Sequence, residues 1–265
     1  MDQLKLIAPV IKNSIESWLE IKAATGNLAS NTRSAYYSDL TDFFKFLAEY
    51  QNETANLLTV ENLKISDIRA WQAKLRTMNS GARSNARKLS SLKSYIRWLS
   101  KHRKFDATHI LSLKSPKFSK KLPRPLEPVE AKAVLTQCES TSTEPWIVAR
   151  DTAVLILLYG CGLRISEALN LRTKEIPLGN SIRITGKGGK VRMVPVLKIA
   201  QNAVNQYVEL CPFKLERDDK IFFGARGKPL SPKVIQNKMK FVRHRLGLPA
   251  SATPHALRHS FATHL

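Results

Sequence analysis

Apolar residues recur at helical spacing through the first ~115 positions of the chain, and turn-like clusters separate the runs. This pattern predicts four helices. The first covers about residues 10–24, and the second begins after a cap at Ser30 or Asn31. The third runs from a cap at Ser66 or Asp67 to about Met78, and the fourth begins at about Ser84. The side chains predicted to be buried on the first, second and fourth helices are Ile11, Ile15, Trp18, Leu19 and Ile21; Tyr36, Leu40, Phe43, Phe44 and Leu47; and Leu89, Leu92, Tyr95, Ile96 and Leu99.

The pattern changes after residue 113. Residues 114–125 are rich in proline and basic side chains, which is typical of an extended linker between domains. Residues 151–159 are apolar on every side and predict a central buried helix, whereas residues 181–196 alternate on either side of a glycine cluster and predict a β-hairpin. Further helices are predicted over residues 126–138, 163–171, 199–211 and 231–246, and from His255, where Thr253 supplies a cap and Pro254 a first-turn proline.

The chain is strongly basic. Its 43 Lys and Arg against 21 Asp and Glu give a formal charge of +22, and the excess is present in both halves of the 265 residues. A polyanionic partner is indicated, and nucleic acid is favoured over a membrane surface because no apolar run approaches spanning length. Cys138, Cys161 and Cys211 are far apart and show no metal-ligand spacing, so we expect a reducing compartment, no zinc and no disulfide framework.

The fourth predicted helix carries basic residues and no acidic ones on its polar face. Ordinary solvated helix faces mix the two signs, so this face indicates phosphate contact. A simple solvated face is the alternative. The basic residues predicted to contact the polyanion, here and elsewhere in the chain, are Arg83, Arg87, Lys88, Lys93, Arg97, Lys120, Lys121, Arg124, Lys190 and Arg192.

Candidate chemistry falls at three places. Arg164 follows two glycines and has Glu167 at i+3; the acid either neutralises a buried arginine or orients it toward a phosphate. Lys187 lies at the predicted hairpin tip, where it can reach a ligand and donate a proton, although solvated lysines are also common at such tips. His255 and Arg258 project from one face near a helix N-terminus, which favours an anion.

Taken in this order, the set resembles the active site of the tyrosine recombinase (phage integrase) family, and the Xer enzymes are the most similar branch. The strings that carry the resemblance are LLYGCGLRISEALNL, ITGKGGKVRMVPV and TPHALRHSFATHL, with SNTRSAYYSDLTDFFKFL and ARKLSSLKSYIRWL in the N-terminal part. The resemblance implies a mostly α fold shaped as a C-shaped clamp. It would consist of a SAM-like helical core-binding domain (1–113), the linker (114–125) and a mainly helical catalytic domain with a small β-hairpin (126–265).

The resemblance also implies residue roles. Arg164, Arg258 and His255 would hold the scissile phosphate, Lys187 would be the general acid and Glu167 would support Arg164. DNA would be cut and rejoined through a 3′-phosphotyrosine, without metal or other cofactor, because fixed cations stabilise the transition state. All six tyrosines precede the His255 motif, so we expect no nucleophile in this chain, a catalytic domain that is incomplete at its C-terminus, and DNA binding without cleavage.

The Xer resemblance implies partners as well. These are a double-stranded, dif-like recombination site, identical or related recombinase protomers in a tetramer on two sites, and a DNA translocase as activator. The expected task is resolution of chromosome dimers at cell division, in the bacterial cytoplasm and away from membranes. The alternative is a sequence-specific DNA-binding protein without catalysis, or a degenerate recombinase; this explains the charge but leaves the Arg164, Lys187, His255 and Arg258 set without a purpose.

Overall fold

The computed structural model describes residues 6–26, 28, 30–116, 125–139, 142, 144–186 and 189–264, and the side chains of all these residues except 30 and 139. The chain divides into two compact units, Met1–Lys120 and Lys121–Leu265, each with its own hydrophobic core. Most of the predicted linker, residues 117–124, lies outside the described residues. None of the described helices is long and apolar enough to cross a lipid bilayer.

The described part of the N-terminal unit is helical. Its helices are α1 (Pro9–Ala24), α2 (Ser30–Gln51), α3 (Leu57–Glu61), α4 (Ile65–Thr77), α5 (Ala82–Arg103) and α6 (Thr108–Leu111). Aromatic rings from α1, α2, α4 and α5 meet edge to face in the core, with centroids 4.9 to 6.0 Å apart: Trp18, Phe43, Phe44, Trp71 and Tyr95. The four long helices confirm the prediction from apolar spacing. The pattern missed α3 and α6 because one turn of helix shows no period.

Two details of the N-terminal unit differ from prediction. Ile21 was expected in the core but is 46% exposed, because it lies to one side of the stripe that buries Ile11, Ile15 and Trp18. The N-cap of α4 is Lys64, and neither Ser66 nor Asp67 caps this helix. The Asp67 carboxylate reaches back from the third helical position and accepts a hydrogen bond from the Lys64 amide at 2.9 Å.

The C-terminal unit is built around one apolar helix. Its elements are α7 (Pro128–Glu139), α8 (Pro145–Gly160), α9 (Ile165–Ala168), a 3₁₀ turn (Thr173–Glu175), β1 (Ser181–Thr185), β2 (Val191–Pro195), α10 (Lys198–Leu210), α11 (Pro232–Arg245) and α12 (Pro254–His264). Helix α8 is buried along most of its length and packs against α7, α10 and α12. This confirms the central buried helix predicted from residues 151–159.

Strands β1 and β2 pair antiparallel, with Ser181 opposite Pro195 and Thr185 opposite Val191. This confirms the predicted hairpin; residues 187 and 188 of its turn lie outside the described residues. The helix predicted over residues 163–171 is wrong in extent, because α9 is a single turn. After it the chain turns to form an isolated bridge between Arg172 and Lys220.

Helix α12 begins at Pro254, one residue before the predicted start. Thr253 Oγ1 accepts a hydrogen bond from the Ala256 amide at 3.3 Å, and Pro254 is the first helical residue. The hydroxyl of Ser260, fully buried on this helix, accepts from the Leu126 amide at 2.8 Å. The first residues of the C-terminal unit and its last helix are thereby joined, which fixes α12 beside α7 and α8.

Candidate active site

The turn between α8 and α9 presents Arg164. Gly162 has φ +59°, a left-handed conformation that costs glycine little, and it redirects the chain at the end of α8. A Cβ built on Gly162 would lie 2.6 Å from the Phe261 ring of α12, so only glycine permits this close approach. Arg164 then takes the N-cap position of α9 with extended backbone angles, and its side chain is half exposed. The turn that carries Arg164 is therefore packed directly on the helix that carries His255 and Arg258.

The carboxylate of Glu167 is the centre of the site. It accepts from the Arg164 amide at 2.8 Å and from Arg164 Nη1 at 2.7 Å. It also accepts from Arg192 of β2, at 3.0 Å to Nη1 and 2.7 Å to Nη2. The Glu167 side chain is only 6% exposed, so these bonds are held away from most of the solvent. One acid thus joins the α8–α9 turn to the hairpin.

The pKa of Glu167 is set by two opposing effects. Burial raises it, but hydrogen bonds from Arg192, the Arg164 amide and the Arg164 guanidinium outweigh burial and lower the pKa to about 2. The same bond with Glu167 raises the pKa of Arg192. The carboxylate is therefore ionised at every physiological pH, and its charge is shared among guanidinium groups.

Arg258 approaches the same carboxylate without bonding to it. Its Nη1 lies 3.7 Å from Glu167 Oε2, and this buried nitrogen has no hydrogen-bond partner among the described residues. Burial, followed by the positive charge of Arg164, lowers the pKa of Arg258. The guanidinium stays charged, since the ordinary pKa of arginine is far above neutrality. Arg258 therefore keeps donor capacity that Arg164 and Arg192 have partly used.

His255 lies one helical turn before Arg258 and is exposed. Its Nε2 is 3.0 Å from Nε2 of His259. The part of the ring that is shielded from solvent, then the charges of His259, Arg258 and Arg164, lower the pKa of His255 below its ordinary value. The imidazole is therefore mostly neutral at pH 7, a form with one donor and one acceptor nitrogen. Arg164, His255 and Arg258 are called the phosphate grip below.

The predicted general acid, Lys187, lies outside the described residues. Gly186, the residue before it, is described: a Cβ there would lie 3.5 Å from Arg192 Nη1 and 3.9 Å from Arg164 Nη1. The end of β1 thus lies against both guanidinium groups. Of the predicted set, the structure brings Arg164 and Arg258 to the Glu167 carboxylate. It adds Arg192, which the sequence had assigned to DNA contact.

The other basic residues predicted to contact DNA have mixed surroundings. Arg87 pairs with the buried carboxylate of Asp39, Lys88 lies 2.8 Å from Asp42, and Lys93 donates to the Leu113 carbonyl at 2.8 Å. The acids come from α2, so the one-sign pattern of α5 did not reveal them. Arg83, Arg97 and Lys190 are exposed, and Lys120, Lys121 and Arg124 lie outside the described residues.

A second basic surface was missed by the sequence analysis. One face of α11 lines a cleft of about 360 Å³ that is also lined by Thr253, Pro254 and His255. The polar side chains of this face are Lys233, Gln236, Asn237, Lys240 and Arg243. Helix α11 contains no acidic residue, a signal that the sequence did carry. The cleft places cations and amide side chains next to the phosphate grip.

The hydrogen-bond donors of Arg164, His255 and Arg258 suit an anion. In the part of the chain that the structure describes, no group of three or more His, Cys, Asp or Glu is placed to hold a metal ion. Two guanidinium groups and an imidazole supply directed hydrogen-bond donors, and arginine can bind a phosphate through two parallel bonds. This arrangement can bind a phosphodiester and stabilise extra negative charge on its non-bridging oxygens.

Comparisons with known proteins agree on one family. The model described as "Phage integrase family" matches residues 124–265, and that described as "Phage integrase, N-terminal SAM-like domain" matches residues 15–103. Tyrosine recombinase XerC of Agrobacterium fabrum (strain C58 / ATCC 33970) is 45% identical over 263 residues, which cover 99% of this chain and 84% of that relative. The chain belongs to the phage integrase family of tyrosine recombinases.

A second relative of this recombinase is Tyrosine recombinase XerC of Brucella suis biovar 1 (strain 1330), which is 44% identical over 252 residues, 94% of this chain and 80% of the relative. Among solved structures, the XerH site-specific recombinase bound to palindromic difH substrate aligns with a TM-score of 0.68 at 19% identity, over 94% of this chain and 72% of that one. A lambda integrase dimer bound to a COC′ core site aligns with a TM-score of 0.67 at 18% identity, over 94% of this chain and 68% of that chain. These likenesses confirm the mostly helical fold and the SAM-like N-terminal domain.

Proposed function

We propose that this recombinase breaks and rejoins duplex DNA at a specific site, with Arg164, His255 and Arg258 holding the scissile phosphate. The observation that carries the proposal is the convergence of the Arg164 and Arg258 guanidinium groups on the Glu167 carboxylate, with His255 one turn away on α12. A tyrosine hydroxyl attacks phosphorus, the 5′-oxygen leaves, and the phosphate is conserved as a 3′-phosphotyrosine. Fixed cations balance the charge that develops on the non-bridging oxygens.

Lys187 is assigned to protonate the leaving 5′-oxygen. Support comes from its position in the sequence, directly after Gly186, which lies against the Arg164 and Arg192 guanidinium groups. The ammonium group of a lysine can donate the proton that a leaving oxygen requires.

The attacking tyrosine is proposed to be none of the six in residues 1–265. In the C-terminal unit, the Tyr159 hydroxyl is bonded to His264 Nδ1 at 3.0 Å. The Tyr207 hydroxyl is buried, donates to the Ile221 carbonyl at 2.9 Å and accepts from the Phe223 amide. Burial also raises the pKa of Tyr207. Both hydroxyls are thus held in structural roles, and residues 1–265 by themselves are expected to bind DNA without cleaving it.

The DNA-binding surface is proposed to include Arg83, Arg97 and Lys190, together with the basic face of α11. Lys120, Lys121 and Arg124 remain part of this proposal on sequence grounds. Arg87, Lys88 and Lys93 contribute less than the sequence suggested, because each already has a partner within the N-terminal unit. Asn237 and Gln236 on α11 can read base edges, because amide side chains pair with adenine in the major groove.

Within site-specific recombination, the biological role that we propose is resolution of chromosome dimers. The XerC names of relatives at 44 to 45% identity support this role. It requires a dif-like site, a tetramer of identical or related protomers on two such sites, and a DNA translocase as activator. The reaction would take place in the bacterial cytoplasm.

Site selection followed by a recombination reporter tests the function. Purified residues 1–265 are used to enrich a bound sequence from random duplexes, and we expect two inverted half-sites separated by a short spacer, since protein symmetry is mirrored in the DNA site. Two direct copies of that sequence are then placed on a plasmid, and the product of the complete gene is expected to delete the intervening segment. Specific binding with no deletion, even with a partner recombinase supplied, would favour the non-catalytic alternative.

A further inference from the structure

Arg192 has an unusual position for a residue on a basic DNA-binding surface. It lies on β2 opposite Ile184, and its two terminal nitrogens meet the two oxygens of Glu167 at 3.0 and 2.7 Å. Two parallel charge-assisted bonds of this kind are the strongest form of the arginine–carboxylate pair. The guanidinium therefore faces the site's own acid, and its capacity for a DNA phosphate is largely used.

These bonds complete the coordination of Glu167. An ionised carboxylate offers about four acceptor positions. Two are filled by the Arg164 amide and Nη1, and the other two by Arg192. Arg258 Nη1 lies 3.7 Å from Oε2, beyond hydrogen-bond distance, and has no partner within the described residues. Among the described residues, Arg258 is thus the one guanidinium near this acid that is left without a bond to it.

We propose that Arg192 is a positioning residue of the phosphate grip. It fixes the carboxylate that orients Arg164, and by filling half of the acceptor positions it prevents Arg258 from being drawn onto Glu167. This inference rests on the proposed function, which assigns Arg164 and Arg258 to the phosphate. Removal of Arg192 vacates two acceptor positions beside Arg258, whose Nη1 needs to move only about 1 Å to form a hydrogen bond. Arg258 would then turn its donors toward Glu167 and away from DNA.

The geometry also explains why arginine is needed at this position. Lysine carries the same charge, but its single ammonium nitrogen cannot meet both carboxylate oxygens in the plane of a fork. Lysine would therefore fill one position well and leave the other open to Arg258. An Arg192→Lys variant is expected to fall between the parent and a variant that lacks the charge.

Ethylation interference measures the effect at the phosphate itself. The probe is a duplex of the selected site in which single phosphates are ethylated and so made neutral, and the quantity is the ratio of affinities for intact and ethylated DNA at each position. Arg164→Ala marks the gripped phosphate, because with one of its three contacts removed the ratio there should fall while the ratios at other phosphates stay the same. We expect Arg192→Met to reduce the ratio at this phosphate by about tenfold or more, the size of a lost charged hydrogen bond. The double variant Arg164→Ala, Arg192→Met should reduce the ratio little further than either single variant does.

Arg183 supplies the matched control. It lies on β1 of the same hairpin, is exposed, and is cationic like Arg192. Arg183→Met therefore removes the same charge from the same sheet and should leave the ratio at the gripped phosphate unchanged. Circular dichroism of each variant establishes that it is folded, and Arg192→Lys provides a milder change if Arg192→Met is not.

Three results would overturn the proposal. If Arg192→Met keeps the ratio at the gripped phosphate but loses it at another, with the salt-dependence slope reduced by about 1, Arg192 contacts DNA directly. If affinity falls equally for intact DNA and for every ethylated probe, the role of Arg192 is in folding alone. If Arg164→Ala itself changes the ratio at no phosphate, the proposed function fails together with this inference, which distinguishes that case from the first two.

Discussion

Glu167→Gln is expected to destabilise the C-terminal unit by about 2–3 kcal/mol at pH 7, the cost of weakening charged hydrogen bonds at a site that is partly open to solvent. Glutamine has the same shape, but its amide group is a donor and would face donors of Arg164 and Arg192. Thermal unfolding should move down by about 5–10 °C. Calorimetry of the parent and the variant measures this change.

The pH dependence of this difference identifies its cause. The pKa of Glu167 is lowered in the folded state, so its contribution is fully present above the ordinary pKa of 4.5 and is lost as pH falls toward about 2. The parent and Glu167→Gln should therefore converge in stability between pH 4.5 and 2. Urea midpoints measured across this range test the convergence, and a gap that stays constant down to pH 2 would contradict the account.

Glu175 gives a matched control for this experiment. It also accepts from a backbone amide three residues earlier, that of Arg172 at 2.7 Å, but this bond is exposed. Glu175→Gln therefore makes the same chemical change at the same position of a capping box, away from Arg164 and Arg192. We expect Glu175→Gln to lower the free energy of unfolding by less than about 1 kcal/mol, since exposed ion pairs and caps contribute little.

Gly162→Ala is expected to lower the free energy of unfolding by about 2–5 kcal/mol. Placing alanine in a left-handed conformation costs about 1–2 kcal/mol. Crowding of the Phe261 ring, 2.6 Å from the new Cβ, adds about 1–3 kcal/mol. Because Arg164 follows two residues later, relief of this crowding should also displace the phosphate grip and weaken DNA binding. Unfolding by urea and DNA titration measure the two effects.

Gly247 separates the two causes of that loss. It also has a positive φ, +63°, but a Cβ there would meet no atom within 4 Å. Gly247→Ala should therefore show the backbone cost alone, about 1–2 kcal/mol, and leave DNA affinity unchanged. Combining Gly162→Ala with Phe261→Leu should restore part of the loss. Equal effects of the two glycine substitutions would show that contact with Phe261 is unimportant.

Local patterns predicted most of the fold. The apolar stripe of α5, the continuous apolar run of α8 and the alternation of β1 and β2 each appear in the sequence at the period of the structure they form. The short helices α3 and α6 were missed because a single turn has no period. Ile21 was misplaced because it lies beside the stripe that the first helix buries.

Contacts between distant residues limited the prediction of the site. Glu167 and Arg164 are three residues apart, so their pairing was visible in the sequence. Arg192 meets Glu167 only because the hairpin packs on the α8–α9 turn, and no local pattern shows that packing. The acids that pair with Arg87 and Lys88 likewise come from another helix, α2. The sequence of α5 alone therefore made these basic side chains appear unpaired.

The most direct test of the central claim is formation of a covalent protein–DNA adduct. The product of the complete gene is incubated with a nicked suicide duplex of the selected site, and protein-linked DNA is measured for the parent, Arg164→Ala and Arg258→Ala. We expect an adduct through a 3′-phosphotyrosine in the parent, and a rate lowered by about 100-fold or more in each variant, because each removes a fixed cation from the developing charge. Parent protein that binds the site but forms no adduct, or Arg164→Ala that reacts at the parental rate, would contradict the assignment of the phosphate grip.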